Sequence, residues 1–87
     1  MICGKLKSGF EYEVAEAALD NMELLDTIVE AEENPLAVSK VVKLLLGDDQ
    51  RRRLYDHLRT DKGNVSILAV SNAVAEIFQG SGQTAKN

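Results

Sequence analysis

The chain is poor in groups that build covalent or metal frameworks. It has one cysteine, so no internal disulfide can form. One histidine beside that cysteine supplies too few thiolate and imidazole ligands for a zinc site. No Asp-x-Asp-x-Asp-Gly spacing occurs, so a calcium loop is not expected, and the six glycines show no phosphate-loop pattern. No apolar run approaches the roughly 20 residues needed to span a bilayer. No charged segment followed by an apolar one opens the chain, so no signal peptide is read and a cytoplasmic location is expected. Basic residues are also scarce. Ten Lys and Arg face 14 Asp and Glu, for a net charge of −4, which argues against a dedicated nucleic-acid binder.

What is present is globular. Eighty-seven residues, 45% of them hydrophobic and 28% charged, make one domain. A core this small yields only a few kcal/mol of net stability. Such chains often gain more from a partner or from a second copy, so a homo-oligomer is possible on these grounds.

The first segment reads as a hairpin. Ile2, Gly4 and Leu6 alternate with Lys5 and Lys7, and Phe10, Tyr12 and Val14 alternate with Glu11 and Glu13. This is the period of two expected of strands. A two-residue loop would set Leu6 against Glu11 and mix the faces. A three-residue loop, Lys7-Ser8-Gly9, sets Leu6 against Phe10, Lys5 against Glu11 and Gly4 against Tyr12, with Gly9 at the left-handed position.

The rest reads as helical, giving a mainly α fold: a small four-helix domain with an N-terminal β-hairpin. Residues 15–19 are a turn or a short helix. Asp20 is the expected N-cap of a helix over 20–31, with Glu23 three residues on and Met22, Leu25, Ile28 and Val29 as its apolar stripe. Asn34-Pro35 opens a second helix over 35–46, which Gly47 ends. Asp48 caps a third over 49–59, with Leu54, Tyr55 and Leu58 inward. A turn follows at Asp61-Lys62-Gly63-Asn64. Ser66 caps a fourth over 67–79, with Ile67, Val70, Val74, Ile77 and Phe78 inward. The domain then covers 1–79. Gly80 stops the last helix, and 80–87 is a polar, flexible tail.

Charge is uneven. Residues 11–33 carry nine acids and no base, and residues 34–63 carry seven bases and four acids. The acidic stretch is either a solvated face or a docking surface for a basic partner. Arg51, Arg52 and Arg53 point about 100° apart on a helix and form no single stripe. Arg52 is expected to pair with Asp48 and Asp56, and Arg53 with Asp49. Arg51 falls on the inner face with Tyr55 and Leu58, so it is the arginine that would meet a partner or a carboxylate. His57 and Cys3 have no companions for catalysis or metal binding and read as structural.

The second helix is the most informative. Leu36, Val38, Val41, Val42, Leu44, Leu45 and Leu46 make seven large apolar residues of the twelve from Leu36 on, too many for one stripe. It is either a buried hub or partly a protein interface. The candidate partner-binding residues are Leu36, Val42, Leu45 and Arg51. No catalytic, cofactor-binding or metal-binding residue is expected.

The order of signals resembles a family. The strand-turn-strand Lys5-Leu6-Lys7-Ser8-Gly9-Phe10-Glu11-Tyr12-Glu13 leads to a helix with Glu23-Leu24-Leu25. Then come Glu33-Asn34-Pro35-Leu36, Val41-Val42-Lys43-Leu44-Leu45-Leu46-Gly47 and His57-Leu58-Arg59, and a last amphipathic helix. Over nearly its whole length the chain resembles the small tail assembly chaperones of long-tailed phages and prophages of Gram-positive bacteria. The resemblance implies a non-enzymatic protein of the bacterial cytoplasm, needing no cofactor. Its implied partners are the tape measure protein, a long helical polypeptide, and the tail tube protein. No nucleic acid, membrane or small-molecule substrate is implied. A small helical nucleic-acid-binding regulator is the alternative, since four short helices could hold a helix-turn-helix with the 48–53 segment in a groove. A small enzyme is disfavoured by the missing constellations.

Overall fold

The structure is a computed structural model and describes residues 2–80. The expected tail lies outside the described residues, except for Gly80. Two strands, β1 (Ile2–Lys5) and β2 (Glu11–Val14), are followed by four helices: α1 (Glu16–Leu19), α2 (Met22–Glu33), α3 (Val38–Leu58) and α4 (Ile67–Gly80). A 3-10 turn over Pro35–Ala37 leads into α3.

The hairpin has the register expected from sequence. Lys5 lies opposite Glu11 and Gly4 opposite Tyr12. The Leu6 N–H donates to the Phe10 carbonyl at 2.8 Å, and Gly9 turns the loop at φ +102°. Leu6, Phe10, Tyr12 and Val14 are buried, and the hairpin packs on α3 through this face. Gly4 is required by close packing, since a Cβ there would collide with the Tyr12 ring. Gln50 fastens the other edge of β2: its Oε1 accepts the Glu13 N–H and its Nε2 donates to the Glu13 carbonyl, both at 2.7 Å. The Glu76 carboxylate accepts the Lys7 N–H at 2.7 Å and ties the loop to α4.

The four helices are not quite the four expected. Residues 16–19 form α1, and Asp20 ends it, its N–H donating to the Glu16 carbonyl at 3.1 Å. The N-cap of α2 is therefore Asn21 and not Asp20: the Glu23 N–H donates to Asn21 Oδ1 at 3.0 Å. Asn34 does cap the next element, accepting the Leu36 N–H at 3.2 Å, with Pro35 at its first position. The expected second and third helices join as α3. Gly47, at φ +82° and ψ 171°, breaks its helical path without a loop, so the two halves meet at a kink. Ser66 caps α4, its Oγ accepting the Ala69 N–H at 3.2 Å. Helix α4 continues through Gly80, where it was expected to stop.

The core is built on α3. Val41, Val42, Leu45 and Leu46 from its first half and Leu54 from its second are buried, and they meet Leu24 of α2, Val70, Ala73, Val74 and Ile77 of α4 and the inner hairpin face. The first half of α3 is thus the hub that its excess of apolar residues suggested.

Candidate functional site

Helix α2 buries a different face from the one its apolar stripe suggested. Leu24 and Thr27 are buried, with Ile28 and Ala31 half-buried beside them. The Thr27 hydroxyl is satisfied within the helix, donating to the Glu23 carbonyl at 2.6 Å. Met22, Leu25 and Val29, expected to face inward, are 66%, 52% and 56% exposed. The physical reason is that residues 22, 25 and 29 form a second row, turned by about 100° or more from the row of Leu24, Thr27 and Ala31. The helix is apolar over two adjoining sectors and α3 covers only one of them.

The uncovered sector borders an open apolar groove of about 620 Å³. Leu25, Ile28 and Ala31 of α2 form one wall, and Ser71, Val74, Ala75 and Phe78 of α4 form the other. Val38 and Val41 of α3 make the floor. Leu68, 70% exposed, falls on the same side of α4 as Ser71 and Ala75 by its spacing. The groove continues past the start of α2 into a smaller hollow of about 210 Å³ that shares Leu25, Ile28 and Phe78 and is edged by Met22 and Asp20. Apart from Glu32 and Gln79 at its edges, and Ser71 on its wall, the main groove presents apolar side chains.

A second apolar hollow of about 230 Å³ lies where the 3-10 turn meets the start of α4. Leu36, Val38, Tyr55, Val65 and Ile67 line it. Ile67, expected in the core, is instead 55% exposed at its rim, at the first position of α4.

The sequence-nominated partner residues separate into two groups. Leu36 is 79% exposed and available. Val42 and Leu45 are at 0% and 2%, so a partner docking on the folded domain cannot reach them. Their side chains are the hub of the core. Arg51 is half-buried and its Nη2 lies 3.2 Å from Asp48 Oδ1, so it meets a carboxylate one turn away in its own helix and not on the acidic α2. That contact also replaces the expected Asp48–Arg52 pair. The other ion pair among the described residues is Asp56–Arg59 at 3.1 Å, and the expected partners of Arg52 and Arg53 do not engage them.

His57 has a structural place. Its Nε2 is 3.0 Å from Ser8 Oγ, and its ring lies 5.6 Å from that of Phe10 at 53°, so it holds the hairpin loop to α3. Cys3 is exposed on β1. No cluster of His, Cys, Asp or Glu suited to a metal ion occurs among the described residues, and none of their helices is long and apolar enough to cross a membrane.

Sequence reasoning therefore missed Met22, Leu25, Val29 and Leu68 as surface residues. A usable signal was present: α2 carries more apolar positions than a single core-facing stripe needs. The fold is a mainly α domain with a strand hairpin, and its prominent surface feature is an apolar groove. No protein-family model matches the chain, and comparisons with curated proteins and with solved structures return no match.

Proposed function

We propose that this protein is a tail assembly chaperone of a long-tailed phage or prophage of Gram-positive bacteria. In this reading it acts without catalysis in the cytoplasm of the bacterial host. It binds the tape measure protein, masks that protein's apolar helical surface before assembly, and helps recruit tail tube protein.

The observation that carries the reading is the groove between α2 and α4. Both walls are helices, the floor is apolar, and Leu25 on one wall is exposed, with Met22 and Val29 of α2 and Leu68 of α4 exposed on the same two helices. Contiguous exposed apolar surface of this kind marks interaction sites. A client helix laid between two helices meets the geometry of helix-in-groove recognition. The sequence resemblance supplies the identity of the client, and the net charge of −4 would help keep the complex in solution.

The test is to ask whether a tape measure protein is encoded beside the gene and to co-express the chain with it. The expected result is a soluble complex that the Leu25→Asp/Val29→Asp double variant does not form. A tape measure protein that behaves identically with and without the chain would overturn the proposal. So would retention of the complex by the double variant, since Leu25 lines the groove and Val29 lies one turn on in the same exposed row. Binding of duplex DNA in a titration across salt, with no effect on the client, would favour a nucleic-acid-binding regulator.

A further inference from the structure

Resting on the reading of the groove as a docking site, we infer that its occupant is a basic-bordered amphipathic helix of another chain, about three turns of which lie along α2. The observation is the charge of the groove's surroundings. Glu23, Asp26, Glu30 and Glu33 follow one another at spacings of three, four and three, so they form one row along α2. At about 100° per residue, that row adjoins the row of Met22, Leu25 and Val29 on the side away from the groove. Glu32 lines the groove itself, and Asp20 edges the hollow at its end.

Among the described residues no cation is paired with these groups. Residues 11–33 contain no Lys or Arg, and α4 contains only Glu76, whose carboxylate accepts the Lys7 N–H. Lys40 and Lys43 lie on α3 but do not line the groove. The two ion pairs among the described residues, Asp48–Arg51 and Asp56–Arg59, are both elsewhere. Like charges three and four apart repel along a helix. Lysines or arginines flanking a partner's apolar stripe would relieve that repulsion while Leu25 and Val29 are covered.

The length follows from α2. Its 12 residues rise about 18 Å, or just over three helical turns. Two helical walls over an apolar floor match a third helix, which can set its ridge between theirs. A second copy of this chain is a poorer occupant, because its exposed apolar α2 face brings its own acidic row to the same contact.

The experiment uses the full chain and two labelled helical peptides of about three heptads, each with Leu at the a and d positions. One carries Lys at the e and g positions and the other Gln. The expected result is that the Lys peptide binds at least about tenfold more tightly at low salt, with the advantage shrinking as ionic strength rises. The Asp26→Asn/Glu30→Gln/Glu32→Gln/Glu33→Gln variant should abolish the advantage and leave the Gln peptide's affinity unchanged. The Leu25→Ser/Val29→Ser variant should weaken both peptides. Equal binding of the two peptides would overturn the basic border and leave the groove reading standing. Lys-peptide binding that ignores Leu25→Ser/Val29→Ser would overturn it as loose charge attraction. Binding of neither peptide, or a dimer of the chain that excludes both, would overturn the inference, and the former would remove the groove reading too.

Discussion

Leu24 and Leu25 are neighbours in sequence and opposites in environment: Leu24 is 1% exposed in the core, and Leu25 is 52% exposed at the lip of the groove. A helix turns by about 100° between them, which carries the side chain from the α3 contact to open apolar surface. The same type of residue therefore serves stability at one position and is free to serve recognition at the next.

This difference is measurable. Leu24→Ala should destabilise the domain by about 2–5 kcal/mol, since it empties a closed site. Leu25→Ala should stay within about 1 kcal/mol, because little contact is lost. Urea melts of the two variants would settle it, and equal losses would show that α2 docks through the wrong face.

The hub can be tested through α3. Leu45→Asp places a carboxylate without a partner where the native side chain is 2% exposed. Its cost of several kcal/mol approaches the whole stability of so small a domain. Lys43→Asp, on the exposed side of the same helix, should be mild. Thermal melts with coincident midpoints would refute the central role of α3.

Gly47 should resist replacement for a backbone reason alone. At φ +82° and ψ 171° it occupies a region that is essentially restricted to glycine, yet a Cβ there would meet nothing within 4 Å. Gly47→Ala should cost about 1–3 kcal/mol by strain. A variant as stable as the parent would mean that α3 can straighten at no cost.

Gln50 is expected to protect one strand edge. Its side chain makes both hydrogen bonds to the Glu13 backbone that a third strand would otherwise make. Gln50→Ala should lower stability by about 1 kcal/mol. Hydrogen exchange should rise most at the Glu13 amide, and an unchanged rate there would remove the side chain from that role.

The hairpin was legible because its two periods of alternation admit only one register that sorts Leu6 and Phe10 from Lys5 and Glu11. The caps Asn34 and Ser66 and the break at Gly47 were legible because each depends on local backbone chemistry. Asp20 misled for the same reason. It is a good cap in isolation, but in the fold it is the C-cap of α1, which leaves Asn21 to cap α2. Of the nominated surface residues, Leu36 is exposed while Val42 and Leu45 are buried, and composition gave no means of separating them.

The sequence by itself determined the hairpin register, the helix punctuation, the apolar surplus of the first half of α3 and the acidic run over 11–33. These depend on periodicity and near neighbours. Only the tertiary structure decided which of two adjoining apolar sectors of α2 is covered, because that depends on how α3 crosses it and on where α4 lies. It therefore decided that Leu24 is core and Leu25 is surface, and that α2 and α4 stand apart over Val38 and Val41 with a groove between them.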